Sequence, residues 1–241
     1  MSWDFALILI LLAVAVPWLG RRRICQLFGM PQTTKMDRLS LYASTIAFQW
    51  LAAGVILWRT SAHGIRAAQL GLAIPSPRIT IAAAIALSTL ILLNQIFSLR
   101  RIAASPTEIK GILPQLALKV FPQDDVERLA FFALVSTVAV CEEIIYRGFV
   151  QLIFQSWSGG SVTVGIVGSA AIFALAHLYQ GPRGLLSTSV IGLLFSAIRE
   201  WTGSLLAPLV AHFVADLAAG LLAPRKLRAA LGSYDQQRPV S

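Results

Sequence analysis

The sequence predicts an all-α protein, a polytopic transmembrane helical bundle of about seven spans, with eight as the alternative count. Three observations predict it. Of the 241 residues, 56% are hydrophobic and only 13% charged, against about 25% charged in ordinary soluble domains. The mean hydropathy is +0.72. The apolar residues are also gathered into runs, several of which reach the roughly 20 residues that a helix needs to cross a hydrocarbon core about 30 Å thick.

The first run, DFALILILLAVAVPWLG at residues 4–20, ends at Arg21, Arg22 and Arg23. A secretory signal peptide carries its positive residues before the apolar stretch and small cleavage residues after it. Here the order is reversed, so the segment is expected to remain as a span. Further spans are expected near residues 39–58, 79–99, 129–154, 162–179, 185–198 and 202–223, the sixth being the shortest. Between the third and fourth lies SPTEIKGILPQLALKVFP, 105–122, in which Pro106, Pro114 and Pro122 interrupt a mixture of charged and apolar residues. This composition predicts a broken amphipathic helix along the cytoplasmic interface, placed to gate access from the side. The organisation is therefore three N-terminal spans over 1–104, a core over 105–224 with the interfacial segment and four spans, and a basic, solvated tail over 225–241.

Positive residues in short loops are retained in the cytoplasm. With the N-terminus outside, the inner segments hold Arg21–Arg23, Lys35 and Arg38, then Arg100, Arg101, Lys110, Lys119 and Arg128, then Arg183, then Arg225, Lys226, Arg228 and Arg238. The outer segments hold only Arg59, Arg66, Arg78 and Arg199. This bias predicts seven spans and a cytoplasmic C-terminus. The net charge of +9 follows from this topology and from attraction to anionic lipid. A nucleic-acid partner is excluded, because its basic residues would be gathered on one soluble face. Trp3, Trp18, Trp58, Trp157 and Trp201 fall at span ends, where indole rings prefer the headgroup level. The two cysteines, Cys25 and Cys141, give neither a disulfide framework nor a metal-type spacing.

Within the fourth run stands CEEIIYRGF, residues 141–149. Ionisable groups near the bilayer centre cost about 2.5 to 3.5 kcal/mol each and usually face a bundle interior or a wet cavity. Glu143 and Arg147, four residues apart, stack on one helix face and can neutralise each other. Glu142 points about 100° away, toward another helix. Downstream, FALAH places Phe173 and His177 four apart, and HFVAD does the same for His212 and Asp216. Glu142, His177, His212 and Asp216 can therefore converge. A carboxylate and an imidazole in a partly dry cavity can hold a water and take its proton, while a second imidazole donates to a developing oxyanion. That set describes amide hydrolysis. Two His and a carboxylate (Glu142, His177, His212) are equally a catalytic zinc set, although no H-E-x-x-H is present. The cofactor is thus either none or zinc.

EEIIYR, FALAH and HFVAD, in this order on successive late spans, resemble the EExxxR, FxxxH and HxxxN/D motifs of the CPBP family of intramembrane proteases. That family contains the type II CAAX prenyl endopeptidases and bacterial Abi-type, bacteriocin-immunity-like proteins. YRGFVQ, GLLFS and TGSLLAPLVAH add to the resemblance, which covers roughly 125–222. It implies Glu142 as general base assisted by His177, His212 and Asp216 on the oxyanion side, and Glu143, Arg147 and Phe173 in support. Asp216 departs from the Asn characteristic of prenyl endopeptidases, and an ionised Asp would repel an oxyanion unless it serves to orient His212. The implied partner is a membrane-associated peptide or protein, and the expected place is the bacterial plasma membrane. A non-catalytic scaffold or bacteriocin-immunity-like protein is the alternative, and a proton-coupled transporter a further one. The sequence has no inverted repeat to support transport.

Overall fold

The computed structural model describes residues 2–104 and 112–236, and among these every regular element is helical. α1 runs from Trp3 to Gly29 and continues past the expected end, so that Arg21, Arg22 and Arg23 lie on its last turns. A π turn at Leu11–Ala15, in which the Val16 N–H reaches back to the Leu11 carbonyl, precedes Pro17. Proline has no N–H to give the preceding turn, and a five-residue step absorbs the mismatch. α2 is Lys35–Ala62 and starts with a capping box, in which the Asp37 N–H donates to the Thr34 hydroxyl and the Thr34 N–H to the Asp37 carboxylate. α3 is Pro77–Ala103, with proline in its first turn, where the missing N–H costs nothing.

α4, Ile112–Val120, is the described part of the segment expected at the interface; residues 105–111 of that segment lie outside the described residues. Its Ala117 packs with Leu99, Ala223 and Leu227. Its end is tied to the bundle by Thr33 Oγ1, which donates to the Lys119 carbonyl at 2.9 Å, and by the Tyr42 hydroxyl, which donates to the Val120 carbonyl.

α5, Asp125–Trp157, is the hub. Half of its apolar window is buried, the largest share of any span. α6, Val162–Ala176, follows, then one 3₁₀ turn at Leu178–Gln180, α7 at Gly181–Thr202 and α8 at Leu206–Gln236. α2 packs along α5, α3 along α8 and α6 along α7. The central core joins Phe5 of α1, Ala53 and Ile56 of α2, Ile145 and Phe149 of α5, and Ile172 and Phe173 of α6.

Among the described residues, six helices are long and apolar enough to cross a membrane, so the protein is an integral membrane protein. Two expectations shift. The fifth stretch is helical only through Ala176, 15 residues, or about 22 Å at 1.5 Å per residue, short of a full crossing. The sixth, expected to be the shortest, reaches 25 residues with its 3₁₀ turn. Pro182 and Arg183 sit in its first turn, and Arg199 near its end is bonded internally to the Gln69 carbonyl at 2.6 Å and Glu200 at 3.1 Å. The helix therefore extends through charges that bound the apolar run. α8 likewise carries helical backbone to Gln236, into the stretch expected as a solvated tail; residues 237–241 lie outside the described residues.

The starts of α2 and α5 are clasped together. Buried Arg38 pairs with buried Glu127 at 2.7 Å, and Glu127 also accepts from the Gln123 N–H at 2.6 Å. Beside them, Asp124 caps α5 by accepting from the Glu127 N–H and pairs with Lys35 at 2.8 Å. The Lys35 ammonium, and after it the Glu127 N–H, holds the Asp124 carboxyl below the ordinary carboxylate value. A carboxyl lowered by folding stabilises fully above its unfolded pKa, and the contribution is lost as pH falls through the folded one. The stability gap between wild type and Asp124→Asn is therefore expected to shrink as pH drops below about 4, read from thermal unfolding at a series of pH values. Both side chains are half exposed, which keeps the effect small.

Candidate active site

The two glutamates sit at a change of helix type. α5 is α-helical through Glu142 and π-helical over Glu143–Val150, closed by the Gln151 N–H on the Tyr146 carbonyl. All eight residues of the π segment are buried. A single-turn π segment inside an α-helix is frequent at functional sites, because it re-aims side chains that a 3.6-residue period would place elsewhere. Gly148 belongs to it, and a Cβ there would stand 3.1 Å from the Leu70 carbonyl oxygen. The backbones approach so closely that the YRGF glycine is a packing requirement.

Glu143 is fully buried and ties two helices together. Its Oε1 accepts from Arg147 at 3.1 Å and from His212 Nδ1 on α8 at 2.8 Å. The expected Glu143–Arg147 pair is present, and Glu143 also orients His212, a role that helical spacing alone does not reveal. The Arg147 guanidinium lies over the Phe173 ring, 4.0 Å from its centroid, and 5.2 Å from that of Phe195. Phe173 further packs on His177, Tyr146 and His212. The phenylalanine of FALAH thus keys the cation of one motif to the imidazoles of the other two. Phe173→Leu is expected to cost about 2 kcal/mol of stability through lost ring area and lost cation–π contact, measured by thermal unfolding.

His212 Nδ1 faces a carboxylate, which only accepts, so that nitrogen carries the proton. Its Nε2 faces Asp216 Oδ2 at 3.5 Å and Glu142 Oε2 at 3.9 Å. With Nδ1–H committed to Glu143, Nε2 can donate only as imidazolium, and Asp216 is then its nearest counter-charge. His177 ends α6 at a non-helical φ of −103°, and its Nδ1–H donates to the Phe173 carbonyl at 2.8 Å. That bond leaves the Nε2 lone pair of the neutral ring available.

A cavity of about 730 Å³ opens among α1, α2, α4 and α5, and Glu142, Tyr146, His177 and Tyr179 share its wall with Gln49. Glu142 falls mid-span and His177 at a helix end, and the cavity is what joins them. His212 and Asp216 do not contribute to this wall; they are joined to the site through Glu142 and Glu143. Gln49 was not among the expected residues. Its Nε2 donates to Glu142 Oε1 at 2.9 Å, and the only sequence signal for it is an amide inside the apolar run IAFQWLAAGVIL. Glu142 Oε2 is buried without a hydrogen-bond partner. Among the described residues, no three His, Cys, Asp or Glu are placed to hold a metal ion. Glu142, His177 and His212 do not fit a three-ligand zinc site. Cys141 is fully buried in the apolar core, where a thiol packs as a small hydrophobe.

Residues 125–218 match the family model described as type II CAAX prenyl endopeptidase Rce1-like. The chain is also 30% identical over 100 residues to the uncharacterized protein YpbD of Bacillus subtilis (strain 168), a match covering 41% of this chain and 47% of that protein. The chain thus spans about half the length of the relative it matches. No solved structure matches. The matched segment starts at α5 and ends two residues after Asp216, and so takes in all three motifs. Over residues 125–218, which carry all three motifs, the chain is similar to the CPBP/Rce1-like CAAX-protease family.

Proposed function

We propose that the protein is an intramembrane endopeptidase that hydrolyses a peptide bond of a membrane-associated peptide or protein, in the bacterial plasma membrane. One observation carries the reading: Glu142 and His177 share the wall of one cavity inside an apolar bundle, and Glu142 Oε2 has no hydrogen-bond partner. A water held between Glu142 Oε2 and His177 Nε2 loses its proton to Glu142 and attacks the peptide carbonyl. The oxyanion is stabilised by N–H from imidazolium His212, whose charge Asp216 and Glu143 balance. Glu142 returns the proton to the leaving amine. In this arrangement Asp216 orients and compensates His212, which removes the conflict between an ionised Asp and an oxyanion.

Seven crossings follow when α6 counts as one, since α5 and α7 are joined through it by short turns. A local thinning accommodates its length, and the C-terminus is then cytoplasmic by the distribution of Lys and Arg. The test compares new peptide termini across the membrane proteome of cells expressing wild type or Glu142→Ala at equal abundance. Termini that vanish with the carboxylate establish hydrolysis and name the substrate. Identical termini in the two strains overturn the reading.

A further inference from the structure

We infer that Gln49 is a positioning residue for the Glu142 carboxylate, so that a helix outside the family-matched segment completes the site. The catalytic part of the inference rests on the peptidase reading; the contact itself does not. Gln49 lies on α2, and its Nε2 donates to Glu142 Oε1 at 2.9 Å from the wall of the shared cavity. An amide in a mid-span position is costly unless it is hydrogen-bonded, and this bond engages one of its donors.

Three features make the contact specific. α2 is fixed against α5, since Trp50 Nε1 donates to Thr137 Oγ1 at 3.2 Å one residue along, and Ala53 and Ile56 pack in one core with Cys141 and Ile145. Gln49 therefore approaches Glu142 from a rigid element. The bond engages one carboxylate oxygen only, which leaves Oε2 without a hydrogen-bond partner, 3.9 Å from His212 Nε2. The donor is also neutral. Lys or Arg at this position would cancel the charge that a general base needs, whereas an amide orients the carboxylate and leaves its charge in place. Glu142 is thus held from two directions, by α2 through Gln49 and along its own helix by the Glu143–His212–Arg147 cluster.

The test uses the full-length protein in lipid nanodiscs, as wild type and as Gln49→Met, which keeps the length and removes the donor. The first readout needs no substrate: labelling of Glu142 by dicyclohexylcarbodiimide, a hydrophobic reagent for membrane-embedded carboxyls, followed by mass spectrometry. Labelling of Glu142 is expected to rise severalfold in Gln49→Met, with Glu127 labelling unchanged as the internal control. The second readout is hydrolysis of a synthetic peptide copying the strongest Glu142-dependent cleavage site. There kcat is expected to fall about 10- to 100-fold with KM within about twofold, the pattern of a misplaced base and not of lost binding.

Unchanged Glu142 labelling overturns the inference, and so does a raised KM with kcat intact. Raised labelling with no cleavage by any variant, wild type included, supports the Gln49–Glu142 contact while sinking the peptidase reading, so the two failures are separable. Gln49→Asn, which keeps a polar amide one methylene shorter, is read in the same two ways where Gln49→Met does not accumulate.

Discussion

Glu142→Gln is expected to lower cleavage about 1,000-fold while the protein accumulates in the membrane at the wild-type level. General-base catalysis contributes roughly 10²- to 10⁴-fold, and an amide of the same shape cannot take a proton from water. The fold tolerates the change because Glu142 makes one neutral hydrogen bond, to Gln49, and a Gln carbonyl accepts it equally well. His177→Ala, which on the proposed mechanism removes the second contact to the attacking water, is expected to cost about 100-fold. Asp216→Asn is expected to stay within about tenfold, because Asp216 acts through His212 at 3.5 Å and an Asn oxygen still faces Nε2. The measurement is initial rates on the Glu142-dependent peptide with membrane abundance determined in parallel. Collapse of abundance in both Glu142→Gln and His177→Ala would point to the scaffold alternative, in which the cluster only holds helices together.

Glu143→Ala is expected to fail in the opposite way, by losing the protein rather than the chemistry. Glu143 and Arg147 are both fully buried, and the carboxylate also fixes His212. Removing one partner of a buried ion pair leaves an uncompensated charge, at a cost of about 3 to 5 kcal/mol. For a marginally stable fold that is a large share of the total. Phe173 and Phe195 offer the stranded guanidinium only ring faces. Glu143→Ala/Arg147→Met, which removes both charges, is expected to recover much of the loss, because replacing a whole buried pair with apolar groups is often close to neutral. Thermal unfolding in nanodiscs for the two single variants and the double variant decides the matter. A double variant no more stable than Glu143→Ala would show that His212, not Arg147, is the partner whose loss matters.

The adjacent glutamates of EEIIYR therefore divide the labour. Glu142 reaches the cavity and keeps one oxygen without a hydrogen-bond partner. Glu143 is sealed in the bundle and organises two other motifs. Adjacent side chains on a helix diverge by about 100°, so a split of roles was legible from position alone. The assignment of His212 to Glu143 was not, since both glutamates lie on the helix that faces it.

Composition and apolar run length determined that the protein is all-helical and membrane-embedded, since no other solvent suits so few charges in so long a chain. The order and spacing of EEIIYR, FALAH and HFVAD determined which side chains share a helix face and which family the core resembles. Periodicity within one helix needs no knowledge of its neighbours. Three features waited for the tertiary structure. The π segment at Glu143–Val150 leaves no mark on composition, because it depends on how the turn is packed. The true length of α7 was hidden behind Arg199, a charge that ends a hydropathy window but is bonded to the Gln69 carbonyl from the loop before α3. Gln49 lies 93 positions from Glu142 in the chain, and only the packing of α2 on α5 brings them together. Local rules act over one or two turns, whereas a site built from separate helices is fixed by contacts that no local pattern encodes.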